Sequence, residues 1–226
     1  MALLEMLFPS ILEKHNFSHL PNWNQPDRPW EILNSTNKDN ISSQINNLIM
    51  NLQTVEKQKI IEINENVILD TSSGPIYVHP KSKISGFVKI EGPCYIGKGV
   101  EIRHGAFLRE GSWLCEGSLV GHSTEVKNSI LLPRSKAPHF NYVGDSILGF
   151  GVNIGAGVKL SNVRNDRRTI RVTLHNGEKI DTEMHKMGSI IGDKAEIGCN
   201  VVTNPGSIIP ANSMIKPNST VNGWFS

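Results

Sequence analysis

The sequence contains few cysteines and little net charge. Its 226 residues include three cysteines, Cys94, Cys115 and Cys199. Their odd number and the lack of C-x-x-C spacing argue against a disulfide framework and against a zinc ribbon. The formal net charge is only +2, so any phosphate recognition must depend on a few well-placed cations. We therefore expect no nucleic-acid partner.

Long apolar runs and a secretory leader are also lacking. No segment approaches the roughly 18 consecutive apolar residues that a membrane-spanning helix needs. Residues 1–12 carry the acidic Glu5, no basic lead and an early Pro9, and these features are atypical of a signal peptide. We expect a cytoplasmic protein without a membrane partner.

A six-residue repeat is the dominant pattern in the chain. Nine aliphatic residues follow one another at intervals of six, from Val78 to Val126. Such a period is typical of short strands joined by tight bends, where a small residue lets the backbone turn. Three strands make an 18-residue coil, and stacked coils bury a column of aliphatic side chains. The sequence therefore predicts an all-β protein with a parallel β-helix, since a β-sandwich would not keep one register over so many intervals.

The repeat has two interruptions. Its register returns over residues 148–160 and again over 191–221. We expect the segments between these runs, at about 132–143 and 161–187, to be insertion loops. The second loop contains a predicted β-hairpin around residues 170–178, where alternating apolar residues precede an Asn-Gly turn. Insertions in a solenoid commonly build its binding face.

The first 70 residues lack the repeat. Apolar residues between positions 41 and 55 follow the spacing of one helical face, and the segment before them carries the apolar anchor Pro29-Trp30-Glu31-Ile32-Leu33. The open end of a β-helix has unpaired strand groups that need a cover. We therefore predict a small, mainly helical N-terminal cap over residues 1–70 and the β-helix over 71–226. A partner-binding helix is the alternative for this region.

Three motifs resemble a known family: E-V-K-N-S at 125–129, H-x-x-Y-x-G-D at 139–145 and N-I-G-A-G at 153–157. Over about residues 76–222 the chain resembles the acetyltransferase domain of bifunctional N-acetylglucosamine-1-phosphate uridyltransferase/glucosamine-1-phosphate acetyltransferases and related sugar nucleotidyltransferases. The resemblance implies a left-handed β-helix and a homotrimer with active sites between subunits. It also implies acetyl transfer from acetyl-coenzyme A to an amino-sugar phosphate. No Gly-rich nucleotide loop is present, which leaves a separate nucleotidyltransferase as a candidate partner.

The same resemblance implies the roles of individual residues. It makes His139 the general base, and an imidazole can take a proton from an amine near neutral pH. Cations such as Arg and Lys are the expected partners of a phosphomonoester. Asp145 is expected to support the turn at Gly144 rather than to take part in chemistry. No metal ligand is implied. The further ligand contacts are the substrate-binding Arg109, Lys127, Tyr142 and Asn153, and the coenzyme-binding Asn162 and Cys199.

Three positions depart from the family's pattern. Pro138 precedes the base His where Gly is common, and Val163 stands where an aromatic residue is often found. Glu110 replaces a Pro directly after Arg109, which places a carboxylate beside an expected phosphate ligand. These departures leave the identity of the amino sugar open.

Two other functions stay open at this point. The missing nucleotidyltransferase half would suit a non-catalytic or regulatory solenoid subunit. His104 and His122 stand one coil apart and could stack, which suggests a metal enzyme of the γ-carbonic-anhydrase kind. A zinc site needs three protein ligands, however, and no convincing third His accompanies the pair.

Overall fold

The chain forms a parallel β-solenoid in the computed structural model, which describes residues 2–12, 17–55 and 65–226. Three parallel sheets run along the solenoid, and each coil contributes one short strand to each of them. The first sheet contains β1 (Ile68–Asp70), β4 (Lys89–Glu91), β7 (Phe107–Leu108), β10 (Glu125–Lys127), β13 (Tyr142–Gly144), β16 (Lys159–Leu160), β21 (Val202–Thr203) and β24 (Thr220–Val221).

The other two sheets have the same construction. The second sheet contains β2 (Ile76–Val78), β5 (Cys94–Ile96), β8 (Ser112–Leu114), β11 (Ser129–Leu131), β14 (Ile147–Leu148), β19 (Ser189–Ile191) and β22 (Ser207–Ile209). The third sheet contains β3 (Lys83–Ile84), β6 (Glu101–Ile102), β9 (Leu119–His122), β12 (Lys136–His139), β15 (Asn153–Ile154), β20 (Glu196–Ile197) and β23 (Met214–Ile215). The parallel β-helix predicted from the sequence is confirmed, while its left-handedness stays a prediction.

The predicted aliphatic column lies along the axis. Of the nine aliphatic residues from Val78 to Val126, eight are buried and Ile84 in an early coil is half-buried. In the later coils Ile154, Ile197 and Thr203 continue the column. At some corners a glycine makes the bend, and Gly105 with a φ of +72° is an example. A side chain would be strained there.

The segment 132–143, predicted as an insertion loop, belongs instead to the regular coil. It contains β12 and the start of β13, which pair in parallel with the strands of the neighbouring coils. Ala137 and Val143 are fully buried in the axial column. The prediction of a loop was therefore wrong for this segment.

The physical reason is a shortened corner. The column advances by five residues rather than six over 126–131 and again over 143–148, because the bends at Asn128 and Asp145 take one residue fewer. Both residues adopt a left-handed backbone, with φ of +44° and +47°, which short polar residues tolerate better than most. Each deletion shifts the six-residue register by one, so a strict six-residue pattern ends at a point where the repeat only changes phase.

The second predicted insertion does leave the coil. Leu148 pairs with Ile191, 43 residues further on, so the intervening coil carries the extra chain after β16. This chain contains the predicted hairpin, whose strands β17 (Arg171–Thr173) and β18 (Lys179–Asp181) pair antiparallel. Val172 is buried against the outside of the second sheet.

The described elements of the N-terminal region lie along one side of the solenoid. It contains α1 (Leu3–Leu7), α2 (Pro9–Leu12), a 3-10 helix (Pro29–Leu33) and α3 (Ile41–Val55). None of the described helices is both long and apolar enough to cross a bilayer. These elements pack on the outward face of the second sheet, together with the hairpin. The outward apolar side chains of that sheet are Tyr77, Tyr95, Trp113, Ile130, Ile147, Ile190 and Ile208.

This packing has a hydrophobic cause and polar anchors. Each outward apolar residue of the second sheet would otherwise face water, at a cost of about 25 cal/mol for each Å² of apolar surface. Trp30 of the 3-10 helix is fully buried in the same cluster. The Asp193 carboxylate accepts a hydrogen bond from the Ser10 backbone N–H at 2.8 Å. The backbone N–H of Asp193 donates to the Leu7 carbonyl oxygen. Burial raises the pKa of Asp193.

The axial column should dominate the stability of the fold. Ile102→Ala should lower the free energy of unfolding by about 2–5 kcal/mol, because it leaves a cavity in a fully buried column. Met214 is 78% exposed, so Met214→Ala should change stability by less than about 0.5 kcal/mol. Denaturant titration of both variants measures the difference, and a silent Ile102→Ala would contradict the assigned register.

Candidate functional site

The outward face of the first sheet brings several predicted ligand residues together. Glu125 on β10 stands directly beside Tyr142 on β13 in the parallel register, and Arg109 follows β7 in the coil before. The Arg109 guanidinium donates from Nη1 to Glu125 Oε1 at 3.1 Å, and both side chains are about one-third exposed. A row of polar groups therefore crosses neighbouring coils on this face.

Asp145 joins the next part of the row. Its Oδ1 accepts hydrogen bonds from Lys127 Nζ at 3.2 Å and from Asn128 Nδ2 at 2.8 Å. Its Oδ2 accepts one from Asn162 Nδ2 at 2.5 Å. The Asp145 side chain is 3% exposed, so these donors take the place of water as its hydrogen-bond partners. Asp145 therefore holds two predicted ligand residues, Lys127 and Asn162, in a fixed relation.

Tyr142 lies over the short bend beside this carboxylate. A Cβ atom placed on Gly144 would come within 2.5 Å of the Tyr142 hydroxyl, so a glycine is needed beneath the ring. Burial raises the pKa of Tyr142, and the nearby negative charges of Asp145 and Glu125 raise it further. The phenol consequently stays protonated near neutral pH and can donate a hydrogen bond.

His139 ends β12 at the corner between the third and first sheets. Its side chain is exposed, while its backbone is held at both ends. The N–H donates to Asn141 Oδ1 at 3.0 Å, and the carbonyl accepts from the Gly157 N–H at 3.1 Å. The imidazole is thus open to a ligand, on a rigid backbone and three residues from Tyr142.

Two further histidines lie at the equivalent corner of the two preceding coils. His122 is the register partner of His139, and its ring stacks on His104 with centroids 5.6 Å apart, as the spacing predicted. His122 Nδ1 lies 2.9 Å from the His104 carbonyl oxygen; since a carbonyl can only accept, Nδ1 carries the proton. Within residues 2–12, 17–55 and 65–226, no group of three His, Cys, Asp or Glu side chains is arranged to hold a metal ion.

The remaining predicted residues lie on other parts of the surface. Asn153 lies on β15 of the third sheet, where its Nδ2 donates to Glu196 Oε2 at 3.1 Å. Cys199 is exposed. It lies at the equivalent corner of a later coil, where the Asn200 N–H donates to the Ala156 carbonyl oxygen. Within one chain, the residues predicted to bind substrate and coenzyme therefore lie on two faces of the solenoid, and these faces meet at the corner of His139.

Sequence reasoning missed the part played by Asn128, Glu125 and the Asp145 carboxylate. Asn128 and Asp145 occupy equivalent shortened corners, 17 residues apart, and this spacing is visible once the register change is known. Asn128 Nδ2 also lies 3.1 Å from the Leu33 carbonyl oxygen. It therefore links the site to the N-terminal region.

Removal of the central carboxylate should be costly. Asp145→Ala leaves Lys127, which is 15% exposed, without its counter-charge, and we expect a loss of about 3–5 kcal/mol in the free energy of unfolding. Glu116→Ala is a matched control, because Glu116 accepts from Lys98 at 2.9 Å across the same 18-residue interval but on a more exposed surface. Its loss should stay below about 1 kcal/mol. Equal losses in thermal or chemical unfolding would argue against the buried network.

Comparison with known proteins gives the family context. No family model matches the chain. It is 34% identical over 202 residues to the bifunctional protein GlmU of Methanococcus vannielii, which covers 88% of this chain and 44% of that protein. It is 40% identical over 103 residues to the bifunctional sugar-1-phosphate nucleotidylyltransferase/acetyltransferase of Sulfurisphaera tokodaii, covering 46% of this chain and 25% of that protein.

A relative of similar length also matches. The uncharacterized acetyltransferase YaiX of Escherichia coli is 29% identical over 219 residues, which cover 96% of this chain and 90% of that protein. The chain spans less than half the length of the two bifunctional relatives. The chain is similar to the C-terminal acetyltransferase region of these bifunctional relatives.

Proposed function

We propose that this chain is an acyltransferase that moves an acetyl group from acetyl-coenzyme A to the amine of an amino-sugar phosphate. The observation that supports this most is the polar row on the first sheet. Two cations, Arg109 and Lys127, and the protonated hydroxyl of Tyr142 lie on one face that ends near the exposed His139. Homology to acetyltransferase regions supports the same reaction class.

His139 would act as general base in a direct transfer. The neutral amine of the sugar attacks the thioester carbonyl carbon, a C–N bond forms, and the C–S bond breaks. The imidazole takes the proton that the amine loses, and the coenzyme leaves as a thiolate that is then protonated. A single transfer of this kind needs no covalent acyl-enzyme, and a positioned His suits it near neutral pH.

Arg109 and Lys127 would bind the phosphate. Each already carries a carboxylate partner, Glu125 or Asp145, so the empty face is close to neutral. A phosphate dianion would therefore have to accept hydrogen bonds from cations whose charge a neighbouring carboxylate partly offsets. This arrangement favours geometric selection of the phosphate over strong long-range attraction.

The coenzyme and the assembly complete the proposal. Asn162 would lie near the acetyl group and Cys199 along the coenzyme. We propose a homotrimer, in which Asn153 on the third sheet of one chain would meet the first-sheet residues of another. A separate nucleotidyltransferase would act on the acetylated sugar phosphate, and the cytoplasmic location stays a prediction.

His139→Ala should reduce turnover by about 10² to 10⁴, which is the usual contribution of a general base. The thermal midpoint should hardly change, because the side chain is exposed. His122→Ala is the matched control, as it removes the register partner on the same corner, and its turnover should stay near the native value. A steady-state assay of coenzyme release measures both. Native turnover in His139→Ala would remove this residue from the mechanism.

Lys127→Ala should weaken kcat/KM for the phosphorylated acceptor about tenfold to a hundredfold, because a hydrogen bond to a charged group contributes roughly 1.5–3 kcal/mol. With the unphosphorylated sugar, native and variant enzymes should be nearly alike, since the deleted contact is already absent. Initial rates for the four enzyme–sugar pairs give this comparison. An equal loss with both sugars would mean that Lys127 serves the fold, through Asp145, rather than the phosphate.

A further inference from the structure

A cavity of about 470 Å³ opens beside Lys127, at the shortened corner of the solenoid. Three separate parts of the chain wall it: the corner itself, the N-terminal region after the 3-10 helix, and the end of the insertion. Ser42, in the first turn of α3, reaches this corner, since its Oγ would lie 3.4 Å from a Cβ placed on Gly111. The volume lies in the range of small-molecule sites in proteins.

Several polar side chains in the wall lack partners within the described part of the chain. Glu183, Lys186 and Ser42 line the cavity, and their side chains form no hydrogen bond or ion pair there, while the carboxylate of Glu110 interacts electrostatically with the neighbouring Arg109. Glu110 is the residue that departs from the family's pattern beside Arg109. These groups offer both donors and acceptors to a ligand, and two of the acceptors are carboxylates, which bind hydroxyl donors strongly.

The charge balance of the wall disfavours a second anionic group. Three carboxylates, Glu110, Asp145 and Glu183, face two lysines, and one of these, Lys127, is already paired with Asp145. Apart from Lys127, which the acceptor phosphate would occupy, Lys186 is the one lysine or arginine among the described lining residues that could meet a second phosphate. No Phe, Tyr or Trp occurs among the described lining residues, where His185 supplies the one aromatic ring.

A neutral, hydroxyl-rich ring fits these features. Its hydroxyls would donate to Glu110 and Glu183 and accept from Lys186 and Ser42. Its less polar C–H face would lie on Leu33 or Met184, which are both buried in the wall. Sugar rings combine such a rim of hydroxyls with an apolar face.

We propose that this cavity is a binding site for a neutral saccharide unit, adjoining the acceptor phosphate at Lys127. The proposal rests on the proposed function in one respect, because it takes Lys127 as the phosphate ligand. The acceptor would then carry a second, uncharged sugar that is joined to its amino sugar and lies beside the phosphate, held by Glu110, Glu183 and the N-terminal region.

Saturation-transfer NMR on the full chain tests this with four neutral disaccharides: N,N′-diacetylchitobiose, cellobiose, lactose and maltose. At least one should receive saturation from the protein, and Glu110→Ala should weaken its binding about tenfold or more, because the carboxylate bonds a hydroxyl. Glu101→Ala is the matched control. Glu101 lies on the third sheet beside Arg103, outside the cavity, and its removal should leave binding unchanged.

Further variants and an activity assay separate the outcomes. Lys186 is exposed, so Lys186→Ala keeps the test valid if Glu110→Ala folds poorly, and it should also weaken binding. Absence of binding by all four sugars, or equal binding by native and Glu110→Ala proteins, overturns the saccharide site. Acetyl transfer to an amino-sugar phosphate in that case would leave the proposed function standing. Glu110-dependent saccharide binding without any acetyl transfer would support the site and overturn the proposed function.

Discussion

Stacking of successive coils is the constraint on which the whole structure depends. Each strand of the solenoid has only two to four residues, and a strand of this length has no stability by itself. It persists because an aliphatic residue packs into the axial column and because backbone groups bond to the coils on either side. Stacking therefore brings residues that are mostly 16 to 18 positions apart in the chain into contact, and 43 apart across the insertion, and most contacts of the candidate site are of this kind.

The three outward faces of the solenoid serve different purposes. The second sheet carries aromatic and aliphatic residues outward, and the N-terminal region and the hairpin bury them. The first sheet carries charged and hydroxyl groups, of which Arg109 and Glu125 stay about one-third exposed while Lys127 is 15% exposed. The two regions are linked at Asn128, whose amide lies between the Leu33 carbonyl and Asp145. The N-terminal region that covers the second sheet is thus also one wall of the polar site. Substitutions in it would therefore alter the surroundings of Asn128 and Asp145.

Charge pairing decides how the first sheet can be used. Arg109 and Lys127 are held by Glu125 and Asp145, so in the proposed phosphate site neither side chain would have to be ordered by the ligand. Such preorganisation lowers the entropy that binding would otherwise cost. It also means that the buried Asp145 affects Lys127, Asn128 and Asn162 together. The loss of one carboxylate would therefore disturb a network rather than one contact.

The amino-acid sequence was sufficient to predict the features of the fold that depend on side chains pointing into the solenoid. The period of six predicted the column from Val78 to Val126, and alternation predicted the hairpin of β17 and β18. The family resemblance that the three motifs carry selected Lys127 and Tyr142, which lie in one network. Three features of the outer surface became visible only in the tertiary structure. They are the shortened corners at 126–131 and 143–148, the packing of the N-terminal region on the second sheet, and the hydrogen-bond donors around Asp145. The physical reason is that the repeat reports burial along the axis, whereas outward neighbours are set by the register between coils, which a one-residue change at a corner shifts.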